Sequence, residues 1–173
     1  MRALAAVPIT PEAYAPYGAL VLARVDLAPR SANHGDAEAW DALAVLDNLR
    51  GTAARCTASL FRCRAHAVAS FEVRVLERHP LSTQMFVPMR ASRFLLVVAR
   101  GGDTPDLATA AAFVVEGPCA ITYAPGVWHH PMIALDEPAD FVNVIFSDGT
   151  SADCEEVTVE VGALEVAVPP RGA

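Results

Sequence analysis

The chain has 173 residues, of which 53% are hydrophobic and 19% are charged, and this predicts one globular domain over residues 1–173 with a substantial core. The formal net charge of -7 argues against a nucleic acid partner, which needs a positive surface, but a few local Arg side chains would still suit a small anionic substrate. No apolar run reaches the roughly 18 residues of a membrane helix, so no membrane span is predicted. The four cysteines form no C-x-x-C pair and no clear secretory signal precedes them, which predicts free thiols in the cytoplasm.

The N-terminal part is predicted to hold two short helices. Thr10 has the residue type of an N-cap and Pro11 suits the first helical position, so a short helix starts there. A second helix is predicted from Asp36 to Gly51, because apolar residues recur at roughly helical spacing. Those residues are Trp40, Leu43, Ala44 and Leu46.

The rest of the chain alternates short apolar strands with turns that contain Gly or Pro. Strands are predicted over residues 20–22, 58–64, 71–79, 84–88, 93–100, 111–115, 120–123, 132–135, 141–146, 157–161 and 164–168. Many short strands between such turns are typical of an all-β sandwich or barrel.

Glu77 and His79 form the first candidate pair of functional residues. Phe71, Val73 and Val75 alternate with polar residues, so they predict a half-buried strand. If that strand continues, Glu77 and His79 point to the same buried face, which suits two metal ligands or an acid and a base. The alternative is a surface Glu and a core His that hydrogen-bonds the backbone.

The residues that follow this pair leave several roles open. Gln84 could be a metal ligand, a hydrogen-bonding partner of a substrate or a sheet-surface amide. Arg78 has the opposite parity from His79, which favours a structural ion pair. Ser82 and Thr83 could cap the turn around Pro80.

A second candidate cluster contains two adjacent histidines. On a strand, His129 and His130 would face opposite sides, so one of them is expected to enter a given pocket, and His129 is preferred. Tyr123 could reach the same pocket or be a core tyrosine with a satisfied hydroxyl. His34 and His66 lie in polar or irregular stretches and are read as incidental.

These motifs together resemble the ureidoglycolate lyase family over about residues 9 to 155. The resemblance is carried by residues 77–80, 82–84, 86, 88–89, 105–107, 127–131 and 140–141, together with Thr10–Ala13 and Tyr17-Gly18. It implies an all-β, cupin-like β-barrel or jelly roll with short N-terminal helices, and a homodimer. It also implies cleavage of ureidoglycolate into glyoxylate and urea during purine (allantoin) degradation.

The resemblance also implies a metal site. Cupins usually place H-x-H, then E, then a later G-x-x-H around a metal. Here Glu77, His79, Gln84 and His129 occupy that pattern, with one His replaced by Glu and the Glu replaced by Gln. A divalent metal such as nickel is the implied ion.

One departure from the family lies in the N-terminal part. The family pattern has Asn-x-Gly followed by an Arg and an aromatic residue. Asn33 and Trp40 match this pattern, but Ala39 stands where the Arg is expected. Arg62 or Arg78 is therefore expected to hold the substrate carboxylate.

The implied reaction needs one group that removes a hydroxyl proton and one that protonates the leaving nitrogen. His79 or Glu77 is expected to be the base and His129 the acid, or the reverse. The residues expected to bind the substrate are Gln84, Tyr123, Asn33, Arg62, Arg78 and His130. The alternatives are another metal-dependent cupin enzyme that acts on a related small acid, and a non-catalytic sensor of small molecules.

Overall fold

The structure, a computed structural model, describes residues 2–172 and is built almost entirely of strands. In chain order the strands are β1 (Arg2–Ala5), β2 (Val7–Pro8), β3 (Leu20–Val21), β4 (Arg30–Ala32), β5 (Ala37–Ala39), β6 (Arg55–Cys63), β7 (Ala65–His66), β8 (Ser70–Glu72), β9 (Val75–Arg78), β10 (Gln84–Arg90), β11 (Arg93–Ala99), β12 (Ala111–Glu116), β13 (Ala120–Tyr123), β14 (Trp128–His129), β15 (Ile133–Leu135), β16 (Ala139–Ser147), β17 (Glu155–Thr158) and β18 (Leu164–Ala167). One short helix, α1 (Pro11–Tyr14), and two 3₁₀ turns, Asn33–Gly35 and Leu107–Thr109, accompany them.

Two sheets face each other across the main core. The first has the strand order β3-β13-β10-β16-β6, and the second has the order β17-β9-β14-β11-β12-β2, with β15 and β7 attached to it. Phe86 and Phe141 from the first sheet pack with Phe94, Leu96 and Val98 from the second. The expected all-β class is therefore confirmed, and one short helix lies near the N-terminus.

The central strand β11 is buried on both of its faces. Leu95 and Val97 enter a second core, which lies between the larger sheet and a small sheet with the order β1-β18-β8. Phe94, Leu96 and Val98 enter the first core. This explains why the sequence of β11 reads as a continuous apolar run rather than an alternating one.

The first predicted helix is confirmed and the second is wrong. Thr10 caps α1 by accepting a hydrogen bond from the Ala13 amide at 3.2 Å. Residues 36–51 hold only the strand β5 and irregular backbone, and the left-handed φ of +55° at Ala42 interrupts any helix there. The indole of Trp40 donates to the carbonyl oxygens of Arg24 and Leu27, so it anchors a loop. No helix in residues 2–172 is long and apolar enough to cross a membrane.

The strand predicted over residues 71–79 is interrupted. β8 ends at Glu72 and β9 begins at Val75. The break between them shifts the alternation of side chains between the two faces of the sheet. Val73 and Leu76 consequently point into the same core, between the larger and the small sheet. Residue 77 therefore faces the opposite side of the larger sheet from Val73.

Candidate functional site

Glu77, His79 and His129 come together on the inner side of the larger sheet. Glu77 lies directly across from His129 in the pairing of β9 with β14, and His79 follows the end of β9. One potential ligand atom from each of the three side chains lies within 4.8 Å of the others. The side chain of His129 is 1% exposed and that of Glu77 is 20% exposed, so solvent reaches Glu77 but hardly reaches His129.

Both imidazole rings are oriented by backbone carbonyls. Nδ1 of His79 lies 2.5 Å from the carbonyl oxygen of Asp153, and Nδ1 of His129 lies 2.9 Å from that of Val127. A carbonyl oxygen only accepts, so each Nδ1 carries the proton and donates it. The Nε2 atoms of both rings are buried without a hydrogen-bond partner within residues 2–172, and in the neutral rings each offers a lone pair.

Glu77 and the neighbouring histidines affect each other's pKa values. Nε2 of His129 lies 3.4 Å from a carboxylate oxygen of Glu77. Burial on its own would raise the pKa of Glu77, but the neighbouring His129, His79 and His130 together outweigh burial and leave this pKa lowered. Burial and the nearby His129 lower the pKa of His79, so its neutral form is favoured. The cluster thus combines a carboxylate with a neutral imidazole.

Gln84 and Tyr123 adjoin this cluster from the opposite sheet. They pair directly across β10 and β13, so they share a face. The Tyr123 ring stacks on the His129 ring, with the centroids 3.8 Å apart and the planes 7° from parallel. Oε1 of Gln84 and the hydroxyl of Tyr123 are buried and have no hydrogen-bond partner in the described part of the chain. Burial, with a contribution from the charge of Glu77, raises the pKa of Tyr123 far above its usual value, so its hydroxyl stays protonated.

Asn143 is a further candidate that the sequence reasoning missed. It pairs with Phe86, which shares a face with Gln84 two residues away on β10. Asn143 is 6% exposed, and its Oδ1 is buried without a partner among the described residues. A lone amide in an otherwise apolar strand was the available signal, because buried amides normally find a hydrogen-bond partner.

Comparison with known proteins identifies the family. A family model described as ureidoglycolate lyase matches residues 1–167. The chain belongs to the ureidoglycolate lyase family. A ureidoglycolate lyase from Burkholderia cepacia is 38% identical over 168 residues, which cover 95% of this chain and 92% of that protein. Ureidoglycolate lyases from Pseudomonas fluorescens and Escherichia coli are 35% and 32% identical, cover 90% and 89% of this chain, and are themselves covered to 91% and 94%.

Two solved structures show weaker likeness. The first, RmlC from Streptococcus suis in complex with dTDP-D-xylose, has a TM-score of 0.39 and 8% identity, over 54% of this chain and 44% of that one. The second, a dTDP sugar isomerase from Desulfovibrio desulfuricans, also has a TM-score of 0.39, with 19% identity over 62% of this chain and 85% of that one.

Arg62 and Arg78, which were expected to hold the substrate carboxylate, lie outside the cluster of Glu77, His79 and His129. Arg62 forms a two-point ion pair with Asp140, at 2.8 and 3.0 Å, on the face of the first sheet that points away from the core. Arg78 lies over the Trp128 ring at 4.8 Å and hydrogen-bonds Glu155, on the other side of β9 from Glu77. Both guanidinium groups are held in structural pairs and point away from His79.

His130 and Asn33 also lie elsewhere. His130 packs edge-on against Phe71, with ring centroids 5.0 Å apart, and its Nδ1 lies 2.7 Å from the Pro131 carbonyl oxygen. Asn33 is exposed in a 3₁₀ turn with a left-handed φ of +49°. Glu77 and His79 do share a side, as expected, but the expectation that this side is the face buried by Val73 is wrong. The break after Glu72 puts them on the opposite face.

The donor atoms of the cluster fit a divalent metal. Nε2 of His79, Nε2 of His129 and Oε1 of Gln84 are buried and unpartnered within residues 2–172, and the Glu77 carboxylate is adjacent. Two imidazoles with oxygen donors suit borderline divalent ions. Ligands about 2.1 Å from one ion lie at most about 4.2 Å apart. The ligand atoms of Glu77, His79 and His129 lie within 4.8 Å of one another, so only a small movement of these three side chains would bring them around one ion.

Proposed function

We propose that the protein cleaves ureidoglycolate into glyoxylate and urea. The observation that carries this proposal is the cluster of Glu77, His79 and His129, in which two buried Nε2 atoms have no hydrogen-bond partner in the described residues. Membership of the ureidoglycolate lyase family supplies the substrate class. Buried polar atoms are costly when unpaired, so a site that leaves them free is expected to pair them with a ligand.

The reaction needs two proton transfers and no redox step. Ureidoglycolate carries a hydroxyl group and a ureido nitrogen on the same carbon atom. When the hydroxyl proton leaves, its oxygen forms the aldehyde of glyoxylate and the bond from carbon to nitrogen breaks. The nitrogen then takes up one proton and departs as urea. One base and one acid on opposite sides of this carbon are sufficient.

The surroundings of the two histidines support one assignment of these roles. His79 is kept neutral because its pKa is lowered, so its Nε2 can accept the hydroxyl proton. Nε2 of His129 lies 3.4 Å from the Glu77 carboxylate, which can stabilise an imidazolium, so His129 donates to the leaving nitrogen. The proton then returns from His79 to His129 through solvent or Glu77 before the next turnover.

The substrate's other groups find partners on the first sheet. The amide groups of Gln84 and Asn143 and the hydroxyl of Tyr123 are buried hydrogen-bonding groups suited to the ureido end. Arg55, at the start of β6, pairs with Ser147. By strand alternation, both lie on the same inner face of the first sheet as Asn143. The carboxylate of the substrate needs a cationic partner. Because Arg62 and Arg78 form ion pairs outside the site, Arg55 takes that role at the edge of the site.

A divalent metal such as nickel would be held by the same cluster. Glu77, His79, Gln84 and His129 would be its ligands. When bound, the ion would act as a Lewis acid that lowers the pKa of the substrate hydroxyl. A coordinating Nε2 has no lone pair left for a proton, so the ligand role and the base role of one ring exclude each other.

The decisive experiment incubates the purified protein with racemic ureidoglycolate, with and without a chelator, and measures glyoxylate and urea. Equal amounts of the two products are expected. Binding without product release would favour a sensor, and absence of both binding and turnover would contradict the proposal. Loss of turnover with chelator and its recovery with Ni²⁺ would assign the metal a role.

The outer face of the first sheet supports a homodimer. Pairings across β10, β16 and β6 place a row of apolar side chains on that face. They are Met85, Val87, Val142, Val144, Ala58 and Leu60. Strand β6 ends the sheet, and Leu60 is 63% exposed. An apolar face beside an open sheet edge is typical of a surface that a second copy covers.

The cytoplasm is the proposed location. All four cysteines are free thiols, and the pKa of the buried Cys119 thiol is raised to about 11 by burial. Free thiols are typical of proteins in a reducing compartment. A fusion to a fluorescent protein, followed by fractionation of the cells, tests this location.

A further inference from the structure

Asp153 meets the loop that carries His79 at two separate points. Its backbone carbonyl oxygen lies 2.5 Å from Nδ1 of His79. Its carboxylate accepts hydrogen bonds from the Leu81 amide, at 2.6 Å, and from the Ser82 hydroxyl. One residue therefore holds both the imidazole ring and the turn that follows it.

The contacts between Asp153 and the loop over residues 79–82 are buried, so they define one position of this loop. Asp153 is 4% exposed and Ser82 is fully buried. Hydrogen bonds to a carboxylate in such surroundings are stronger than those between neutral groups, and a missing partner is costly. The loop over residues 79–82 thus has one well-defined position relative to Asp153.

Arg50 compensates the charge of this carboxylate. Its side chain is 5% exposed, and Nη1 lies 3.7 Å from Oδ2 of Asp153. The same guanidinium forms an ion pair with Asp148 and hydrogen-bonds the Thr150 hydroxyl at 3.2 Å. A buried carboxylate needs such a partner, so Arg50 stabilises the carboxylate that accepts the hydrogen bonds of the loop.

We infer that Asp153 is a positioning residue that fixes the tautomer and the orientation of His79. The carboxylate holds the loop, and the loop holds the ring against the Asp153 carbonyl oxygen, which can only accept. Nδ1 must then carry the proton, and the lone pair of Nε2 is directed at Glu77 and His129. This inference rests on the catalytic role proposed for His79, but the state of the ring can be measured without turnover.

The direct test is two-bond ¹H–¹⁵N NMR of ¹⁵N-histidine-labelled protein at about pH 8, with the His79 signals identified by their loss in His79→Ala. In the unchanged protein His79 is expected in a single tautomer with the proton on Nδ1. In Asp153→Ala a mixture of both tautomers is expected, and Asp153→Asn is expected to restore the single form, because its amide oxygen can still accept from Leu81. Asp140→Ala, which breaks the exposed pair with Arg62, is the matched control and leaves the His79 signals unchanged.

Activity supplies the second measurement. Asp153→Ala is expected to lower kcat about 10- to 100-fold with little change in KM, as outer partners of functional histidines usually do. A folded Asp153→Ala protein that keeps the single tautomer would overturn the inference. If the tautomer changes but the unchanged protein shows no lyase activity, the proposed function fails and the positioning role stands.

A second variant covers the case in which Asp153→Ala does not fold. Ser82→Ala removes one of the two hydrogen bonds that hold the loop and leaves the carboxylate in place. A smaller change in the same direction, with part of His79 in the second tautomer, is expected. A folded Ser82→Ala protein with an unchanged His79 spectrum and unchanged kcat would count against the inference.

Discussion

The imidazole rings of His79 and His129 present the same nitrogen to one small volume. Each ring uses Nδ1 on a backbone carbonyl, and each Nε2 is buried without a hydrogen-bond partner in residues 2–172. Their surroundings nevertheless differ, because Glu77 lies 3.4 Å from His129 whereas burial keeps His79 neutral. Two chemically identical side chains can therefore carry opposite roles, one as base and one as acid.

Removing either imidazole is expected to abolish most of the activity. His79→Ala and His129→Ala should each lower kcat about 10²- to 10⁴-fold, because each removes one proton-transfer group. Steady-state release of glyoxylate measures the effect. His66→Ala, on the exposed strand β7, is the control and should keep the rate of the unchanged protein. Near-native rates in both site variants would contradict the proposed mechanism.

The pH dependence should follow the lowered pKa of His79. A free His has a pKa of about 6.5. Because burial lowers the pKa in this site, the base form persists to lower pH, and kcat/KM should decline only as the pH falls below about 6.5. The negative charge of Glu77 raises the pKa of His79, so Glu77→Gln should move this acid limb to still lower pH. An acid limb centred above pH 7 would not fit His79 as the base.

Arg55 should affect substrate binding more than the chemical step. Arg55→Ala removes a charged hydrogen bond to the carboxylate, which is worth about 1.5–3 kcal/mol, so KM should rise about 10- to 100-fold. Arg62→Ala is the matched control, because its guanidinium pairs with Asp140 on the outer face. Equal effects of the two substitutions on KM would remove Arg55 from the site.

At the scale of elements, the N-terminal turn braces the strand that carries Tyr123. The Tyr14 hydroxyl at the end of α1 donates to the Thr122 carbonyl oxygen at 3.1 Å, and the Ala19 amide donates to the Thr122 hydroxyl at 2.9 Å. Gly18 lies between these contacts. A Cβ atom on Gly18 would lie 1.8 Å from the Thr122 carbonyl oxygen, so no larger residue fits there.

Gly18→Ala is expected to destabilise the fold. Either α1 or β13 must move to relieve the overlap with backbone atoms, which should cost about 2–3 kcal/mol or more of the free energy of unfolding. Denaturant unfolding followed by circular dichroism measures this cost. Gly102→Ala is the control, since a Cβ there meets nothing within 4 Å. Equal stability of the two variants would show that the turn does not depend on this close approach.

At the scale of the whole molecule, the first sheet has two unlike faces. Its inner face carries Gln84, Tyr123 and Asn143 beside the histidine cluster. Its outer face is apolar around Leu60 and Val142, although solvent reaches part of it. Association of two copies through the outer face would bury this apolar surface without covering the inner one.

A charge on the outer face is expected to separate the dimer. Leu60→Asp should shift the mass measured by light scattering from that of a dimer to that of a monomer of about 18.3 kDa. Val161→Asp is the matched control, because Val161 is 72% exposed between β17 and β18, away from this face. A monomeric mass for the unchanged protein would exclude the proposed interface.

The sequence by itself determined most strands and the main site motifs. Alternation and apolar runs predicted β10, β11, β13 and β16, because side-chain burial follows the local period of the backbone. Strand parity paired Glu77 with His79, and the family resemblance grouped Gln84 and His129 with them. These features are local in the chain, so they can be read without knowledge of the fold.

Only the tertiary structure decided which side of each strand faces the site. The break after Glu72 reversed the parity for Glu77, and the pairing with β16 put Arg62 on the outer face. Asn143 entered the site and Asp153 reached His79 through contacts between residues distant in the chain. Strand register and loop position depend on such long-range packing, which the local pattern does not encode.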